Sequence, residues 1–278
     1  MHAYARISFT GSTATGRKVM MAAALGPRAV SLELGGKSPL IVFEDAAVDA
    51  AVDWIITGIL WGSGQVCSAT SRVLLHADIS EAVIKKLLER VAAVKIGASQ
   101  SEEMLAYEGP CMGPVVSKAQ YDKIWDFINE ATSAGVKVLY GGDVSAVASL
   151  GEGYFVPPTI FYDVPTDSRI WKEEIFGPVL CIRTFTTEEE ALAISNDSEY
   201  GLAAAVFSAD LERCQRVAKG FRAGIVWTNC CQPAFIQAPW GGVKRSGFGR
   251  ELGRWGLEEF TSVKQVTSCA SGHQWSLW

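Results

Sequence analysis

Short apolar runs of strand length alternate along this chain with stretches whose apolar residues recur at helical spacing, and that alternation constrains the fold more than any single motif. Residues 39–43 read as a buried strand. Asp45 then reads as the N-cap of a helix with Ala46, Val48, Val52, Ile55, Ile56, Ile59 and Leu60 on its apolar face. Residues 72–75 form the next strand, 80–94 and 118–134 amphipathic helices, and 136–139 a strand closed by Gly141 and Gly142. The pattern repeats with a strand at 177–182, a helix at 187–195 opened by threonine with Glu190 three residues on, and a strand at 202–207. A helix at 210–219 and a strand at 224–227 complete it. Such alternation argues for an α/β fold with a largely parallel sheet. Residues 98–114 and 143–153, rich in turn-forming residues, read as loops.

The start adds another unit. Ile7-Ser8-Phe9-Thr10 is strand-like, Gly11 to Gly16 form a Gly-x-x-x-x-Gly turn, and 17–25 read as a helix. Such a turn can hold a pyrophosphate through backbone N–H groups at a helix N-terminus. It can equally be a tight packing turn, because the Lys-Ser/Thr of a P-loop is missing.

Composition removes several classes of function. The 278 residues are 49% hydrophobic and 20% charged, ordinary for a globular protein. A net charge of −5, with acids and bases mixed along the chain, leaves no basic stripe for nucleic acid. The longest apolar stretch, 55–61, is broken by Thr57 and Gly58 and falls short of the roughly 18 residues a membrane span needs. Seven irregularly spaced cysteines and a start without a signal peptide's apolar core read as thiols in a reducing, cytoplasmic setting.

Two glycine-framed residues carry the chemistry. Glu33 precedes Leu34-Gly35-Gly36-Lys37, and Cys67 follows Gly64-Gln65-Val66. A thiol nucleophile served by a carboxylate is the expectation, since His2, His76 and His273 flank no glycine turn that would aim one at Cys67. No metal is expected. Glu33 closes an apolar run, so desolvation should raise its pKa and suit it to accept a proton from water. The competing reading is an ion pair with Lys37. For Cys67, a turn before a helix start would favour the thiolate; the competing reading is a small core cysteine, the one adopted for Cys181 and Cys214.

Five ordered motifs carry a family resemblance: Phe9-Thr10-Gly11-Ser12-Thr13-x-x-Gly16, Leu32-Glu33-Leu34-Gly35-Gly36-Lys37-Ser38-Pro39, Gly64-Gln65-Val66-Cys67, Glu173-Glu174-Ile175-Phe176-Gly177-Pro178 and Pro239-Trp240-Gly241-Gly242. Together they resemble the aldehyde dehydrogenase superfamily. The wording of 67–72, 170–174 and 237–251 is similar to the plant betaine aldehyde and aminoaldehyde branch, which oxidises ω-amino and trimethylammonio aldehydes with NAD. The resemblance implies a remnant of a Rossmann-type NAD-binding domain at 1–35, a parallel-sheet catalytic domain at 36–245, and a return segment with an oligomerisation strand at 246–278, in which 261–267 joins a neighbour's sheet. It implies Cys67 as nucleophile and Glu33 as base. It further implies Gly11, Ser12 and Gly16 at the pyrophosphate, Glu174 on the nicotinamide ribose and Phe176 near the nicotinamide ring.

Trp61 and Trp240 match aromatic positions of the family's substrate tunnel, where indole faces suit a cationic substrate. The other tryptophans, such as Trp54 and Trp255, read as core. Ile225 stands where that branch varies between a small residue and isoleucine, which favours aminoaldehydes over betaine aldehyde on steric grounds. A homodimer or homotetramer is implied. So is a fragment: the match opens inside the family's NAD-binding domain, leaving its first βαβ units and the oxyanion-hole asparagine outside this chain, with weak NAD affinity expected.

Gly62-Ser63 replaces the plant enzymes' Thr-Asn, so the loop before Cys67 is expected to gain freedom at Gly62. The tail 274–278 carries neither peroxisomal tripeptide common in that branch, so peroxisomal or plastid location rests on the resemblance alone. Two other readings stay open: a non-catalytic subunit that binds full-length homologues, and a gene remnant without function.

Overall fold

The computed structural model describes residues 6–98, 100–269 and 272. β1 (Arg6–Thr10) leads into α1 (Thr13–Ala24) and β2 (Ala29–Glu33), and β3 (Pro39–Val42) into α2 (Val48–Leu60) and β4 (Arg72–His76). α3 (Ala77–Ala92) is followed by three short elements, β5 (Lys95–Ile96), α4 (Glu102–Leu105) and β6 (Cys111–Met112). Next come α5 (Lys118–Ser133), β7 (Lys137–Tyr140), β8 (Thr159–Tyr162), α6 (Arg169–Lys172) and β9 (Val179–Phe185). α7 (Glu188–Asn196), β10 (Ala203–Phe207), α8 (Leu211–Gly220), β11 (Ile225–Thr228), β12 (Gly247–Phe248) and α9 (Gly253–Glu258) end the described order.

Seven strands form one sheet in the order β11-β10-β3-β4-β9-β8-β7. All its pairs are parallel except β7 with β8. The strands are apolar on both faces because helices cover both. Leu40, Val42, Val73 and Leu75 pack with α2 and α3 on one side, while Ile41, Phe43, Leu74 and Val206 pack with α5, α6 and α8 on the other. β1, β2 and β12 make a second, three-stranded sheet, with β12 antiparallel to β2 and Gly247 opposite Glu33. Glu33 therefore sits at the end of a central strand rather than on an exposed edge.

Caps explain most helix starts. Thr187 accepts from the Glu190 N–H, and the Glu190 carboxylate accepts from the Thr186 N–H. Asp210 accepts from the N–H groups of Glu212 and Arg213. The expected Asp45 cap does not form. Ala47 is the N-cap of α2, and the Asp45 carboxylate instead accepts from the Ser208 hydroxyl and the Asp210 N–H. Cross-chain hydrogen bonding outcompetes the local cap.

Other expectations need correction. Residues 98–114 contain α4 and β6, the latter pairing in parallel with β5, and within 143–153 a 3-10 turn spans Val144–Leu150 under an Asp143 cap. Trp255 is exposed on α9 rather than in the core. Among the described residues, 261–267 pair with no strand, and Val263 and Val266 are exposed. His2, His273 and the tail 274–278 lie outside the described residues. Among those described, no helix is long and apolar enough to cross a membrane, and no cluster of metal-ligating side chains occurs.

A buried arginine clamps the sheet where it meets the site. Arg72 is 1% exposed; its guanidinium donates to the carbonyls of Lys37 (2.8 Å), Ile194 (3.2 Å) and Ser195 (2.8 Å), and lies 5.3 Å from the Trp171 ring centroid. Removing it leaves three carbonyls without that donor. Arg72→Met should therefore lower unfolding free energy by about 3 kcal/mol, read by urea denaturation, because each buried acceptor so stranded costs about 1–3 kcal/mol.

Candidate active site

The loop between α2 and β4 places the thiol. Gly62, Ser63 and Gly64 are all left-handed, with φ of 59°, 58° and 73°. Gly64 is required sterically as well, since a Cβ there would strike the backbone of Gly177. Ser63, an uncommon residue at positive φ, is held by its hydroxyl, which donates to the Gly113 carbonyl at 2.9 Å. Gln65 donates to the Gly62 carbonyl and accepts from the Val116 N–H. The freedom expected at Gly62 is thus taken up by a defined turn braced on both sides.

Cys67 follows in a turn closed by the Ala69 N–H to the Val66 carbonyl, 3.0 Å. Ser68 and Gln232 exchange two hydrogen bonds behind it, at 2.6 and 3.1 Å. The chain then runs extended into β4, so the expected helix start is absent. The electrostatic expectation is reversed too. The Cys67 thiol is pushed above its ordinary pKa, first by burial and then by the negative charges of Glu174 and Glu33.

Glu33 ends β2 with 8% exposure, and its Oε2 has no hydrogen-bond partner. Burial raises its pKa to about 7; Glu251 adds to the rise, and Arg250 opposes it. This is the desolvated carboxylate the apolar run implied. The competing ion pair with Lys37 does not form, for the Lys37 Nζ is itself without a partner.

Gly35 and Gly36 let three segments meet. At Gly36 a Cβ would come within 2.5 Å of the Cys67 carbonyl, and at Gly35 one would collide with Glu174 Oε2. Glu174 Oε1 accepts from the Gly36 N–H at 3.1 Å. Burial raises the Glu174 pKa, against that N–H and the charges of Lys123 and Lys37. Phe176 is left-handed (φ 63°), and its carbonyl, with that of Ile175, accepts from Gln120 Nε2 at 2.8 and 2.9 Å.

These residues open on one cavity of about 510 Å³. Cys67, Glu33, Glu174, Phe176, Gly11, Ser12 and Trp61 all line it. Gly16, Ile225 and Trp240 do not. Gly16 is buried with no room for a Cβ against Leu34, a packing role at this turn. Ile225 is half-buried on β11, and Trp240 packs on Trp227 with ring centroids 6.2 Å apart. Sequence reading missed Gln65, Gln120 and Lys123 on the wall, and Glu251 and Arg250 beside Glu33. Gln120 and Lys123 stand three apart in the first turns of α5, half-buried ahead of its buried residues, a polar pair on one helix face that could have been noticed.

The aldehyde dehydrogenase family profile matches residues 2–266. The chain is 54% identical over 270 residues to "Aminoaldehyde dehydrogenase 2, peroxisomal" of Pisum sativum and 53% identical to "Betaine aldehyde dehydrogenase, chloroplastic" of Beta vulgaris; each alignment covers 97% of this chain and 52% of the relative. A crystal structure of a point mutant of betaine aldehyde dehydrogenase from Staphylococcus aureus in complex with NAD+ superposes with a TM-score of 0.86 at 42% identity, covering 92% of this chain and 51% of that one. A double mutant of that enzyme, also with NAD+, gives 0.91 at 41% identity over 99% of this chain. The chain spans about half the length of the curated relatives it matches. With the profile spanning almost all its residues and its fold shared with solved members, this chain belongs to the aldehyde dehydrogenase family.

Proposed function

We propose that this chain carries the thiol and carboxylate of an NAD-dependent oxidation of ω-amino or trimethylammonio aldehydes to carboxylic acids. The observation that carries the reading is the shared cavity: a half-buried cysteine, a buried glutamate with an unbonded oxygen, and Glu174 all face one space. The Cys67 sulfur adds to the aldehyde carbon to form a thiohemiacetal. Gly11, Ser12 and Glu174 would hold NAD, which would supply a hydride acceptor beside Cys67; loss of that hydride from the carbon and of the hydroxyl proton to solvent would leave a thioester on Cys67. Glu33 then takes a proton from water as the water attacks the thioester, and the acid leaves. Relatives named for betaine and aminoaldehydes support this substrate class.

The residues present fit such a cofactor. The start of α1 at Gly11 and Ser12 suits a phosphate, the Glu174 carboxylate suits ribose hydroxyls, and Phe176 and Cys67 share the same wall. Trp61 offers an exposed indole face to a substrate cation. Ile225 and Trp240 act less directly in this reading: Trp240 leads into Gly241, whose position abuts Glu33 Oε1, and Ile225 lies two residues before the Trp227 ring that Trp240 packs on. A bulky residue there favours aminoaldehydes.

A second reading has its own support. Trp255, Leu257, Phe260, Val263 and Val266 are each exposed within 255–266, near the end of the described chain. The segment 255–267 would seat a second copy or a full-length homologue in a homo-oligomer. Co-purification with a full-length relative separates a binding subunit from an enzyme. Reduced thiols at Cys67, Cys230 and Cys231 fit a reducing compartment.

Purified chain given NAD+ and 3-aminopropanal should form NADH, and Cys67→Ala should lower that rate at least about 10³-fold. Activity unchanged in this variant would refute the nucleophile. Glu33 accepts a proton only when ionised, so thioester hydrolysis should rise with pH through about 7 and lose that limb in Glu33→Gln. Alkylation of Cys67 by iodoacetamide, followed by mass spectrometry across pH, should shift to lower pH in Glu174→Gln and, less, in Glu33→Gln, as each removes a charge that opposes the thiolate. Because Ile225 stands off the cavity wall, Ile225→Ala should raise kcat/KM for betaine aldehyde relative to 3-aminopropanal by less than the roughly 10-fold that one methylene in direct pocket contact is worth.

A further inference from the structure

Gln232 stands where a glycine would fit more easily. It lies in the loop after β11 with a φ of 76°, in the left-handed region, yet it carries a long side chain that is buried, with 8% exposure. Keeping such a side chain on such a backbone calls for a contact that glycine lacks. That contact is with the residue after Cys67. Gln232 Oε1 accepts from the Ser68 hydroxyl at 2.6 Å, and Nε2 donates to the Ser68 carbonyl at 3.1 Å. One amide thus grips both the side chain and the backbone of a residue that is itself 1% exposed.

The grip has a firm base. Asn229, left-handed at φ 52°, pairs with Ser208: its Oδ1 accepts from the Ser208 N–H at 3.0 Å, and its Nδ2 donates to the Ser208 carbonyl at 2.9 Å. The Trp227 indole N–H donates to the Pro233 carbonyl at 3.0 Å, and Cys231 Sγ lies 3.6 Å from Thr70 Oγ1. On another side of the turn, Gly36 makes room for the Cys67 carbonyl, which would lie 2.5 Å from a Cβ there. The peptide that joins Cys67 to Ser68 is therefore fixed at its carbonyl by Gly36 and, one residue on, by Gln232.

We propose that Gln232 is a positioning residue for Cys67: by holding the Ser68 hydroxyl and carbonyl, it fixes the peptide that follows the cysteine, and with it the direction of the sulfur and of the Ser68 N–H toward it. The consequence for catalysis rests on the reading of Cys67 as the nucleophile. Gln232 acts through Ser68 and does not line the cavity.

The direction of the effect follows from what surrounds the sulfur. Burial raises the Cys67 pKa first, then the charges of Glu174 and Glu33, while the backbone N–H groups of Ser68 and Cys67 lower it. Lys123 lines the same cavity from α5. The titratable groups of the gripping loop are Cys230 and Cys231, both raised by burial, Cys231 to about 11. Gln232→Gly keeps the left-handed backbone free of strain and removes the amide. In the full chain, alkylation of Cys67 by iodoacetamide, which reads the thiolate, should then shift its midpoint up by about 1 pH unit, the scale of one weakened hydrogen bond to a charged group. A loop that had merely loosened would admit water and move the midpoint down, because burial is the largest cause of the rise. Ser68→Ala, which removes only the hydroxyl, should shift it up by less, and adding Ser68→Ala to Gln232→Gly should add nothing further. Ser68→Ala provides the readout by itself if the glycine variant folds poorly. A midpoint that stays or falls overturns the proposal, and a loss of stability to urea with the midpoint unmoved marks Gln232 as a structural staple alone. If the midpoint rises yet Cys67→Ala forms NADH as fast as wild type, the positioning by Gln232 stands and the nucleophile reading falls.

Discussion

Two side chains that are not there hold this site together. Without Cβ atoms at Gly35 and Gly36, the end of β2, the turn at Cys67 and the loop bearing Glu174 approach more closely than any larger residues would allow. That contact puts the Cys67 thiol and the Glu33 and Glu174 carboxylates on one wall. It also draws each of them out of water, and the charge balance of the site follows from that.

Desolvation is the first cause of the shifts at Glu33, Glu174, Cys67 and Lys37. For Glu33 it is useful, because a carboxylate poised near neutrality can both hold and release a proton. For Cys67 it works against the thiolate, and two nearby carboxylates deepen the effect. Arg250 opposes the rise at Glu33, and Lys123 and Lys37 oppose that at Glu174.

Much of the architecture was legible along the chain. Apolar runs such as Leu40-Ile41-Val42 and Val73-Leu74-Leu75 belong to strands covered on both faces, and Thr187 with Glu190 marks a helix start that forms as read. What failed was local. Asp45 has the side chain of a cap, yet Ser208 and Asp210, brought near by strand pairing, bind it instead. Trp255 has the character of a core residue, yet α9 leaves it exposed within this chain. Cys67 was expected before a helix, and the segment after it pairs into β4.

Residue chemistry alone determined the α/β class, the pairing of Glu33 with Cys67 as candidates, and the glycines that frame them, because periodicity and side-chain type are local properties. Only the tertiary structure decided that Gly16 packs against Leu34, that Ile225 and Trp240 stand off the cavity wall, and that Gln120, Lys123 and Glu251 belong to the site's surroundings. Those outcomes depend on which distant segments exclude water from one another, and water exclusion is a property of the packed chain rather than of its spelling.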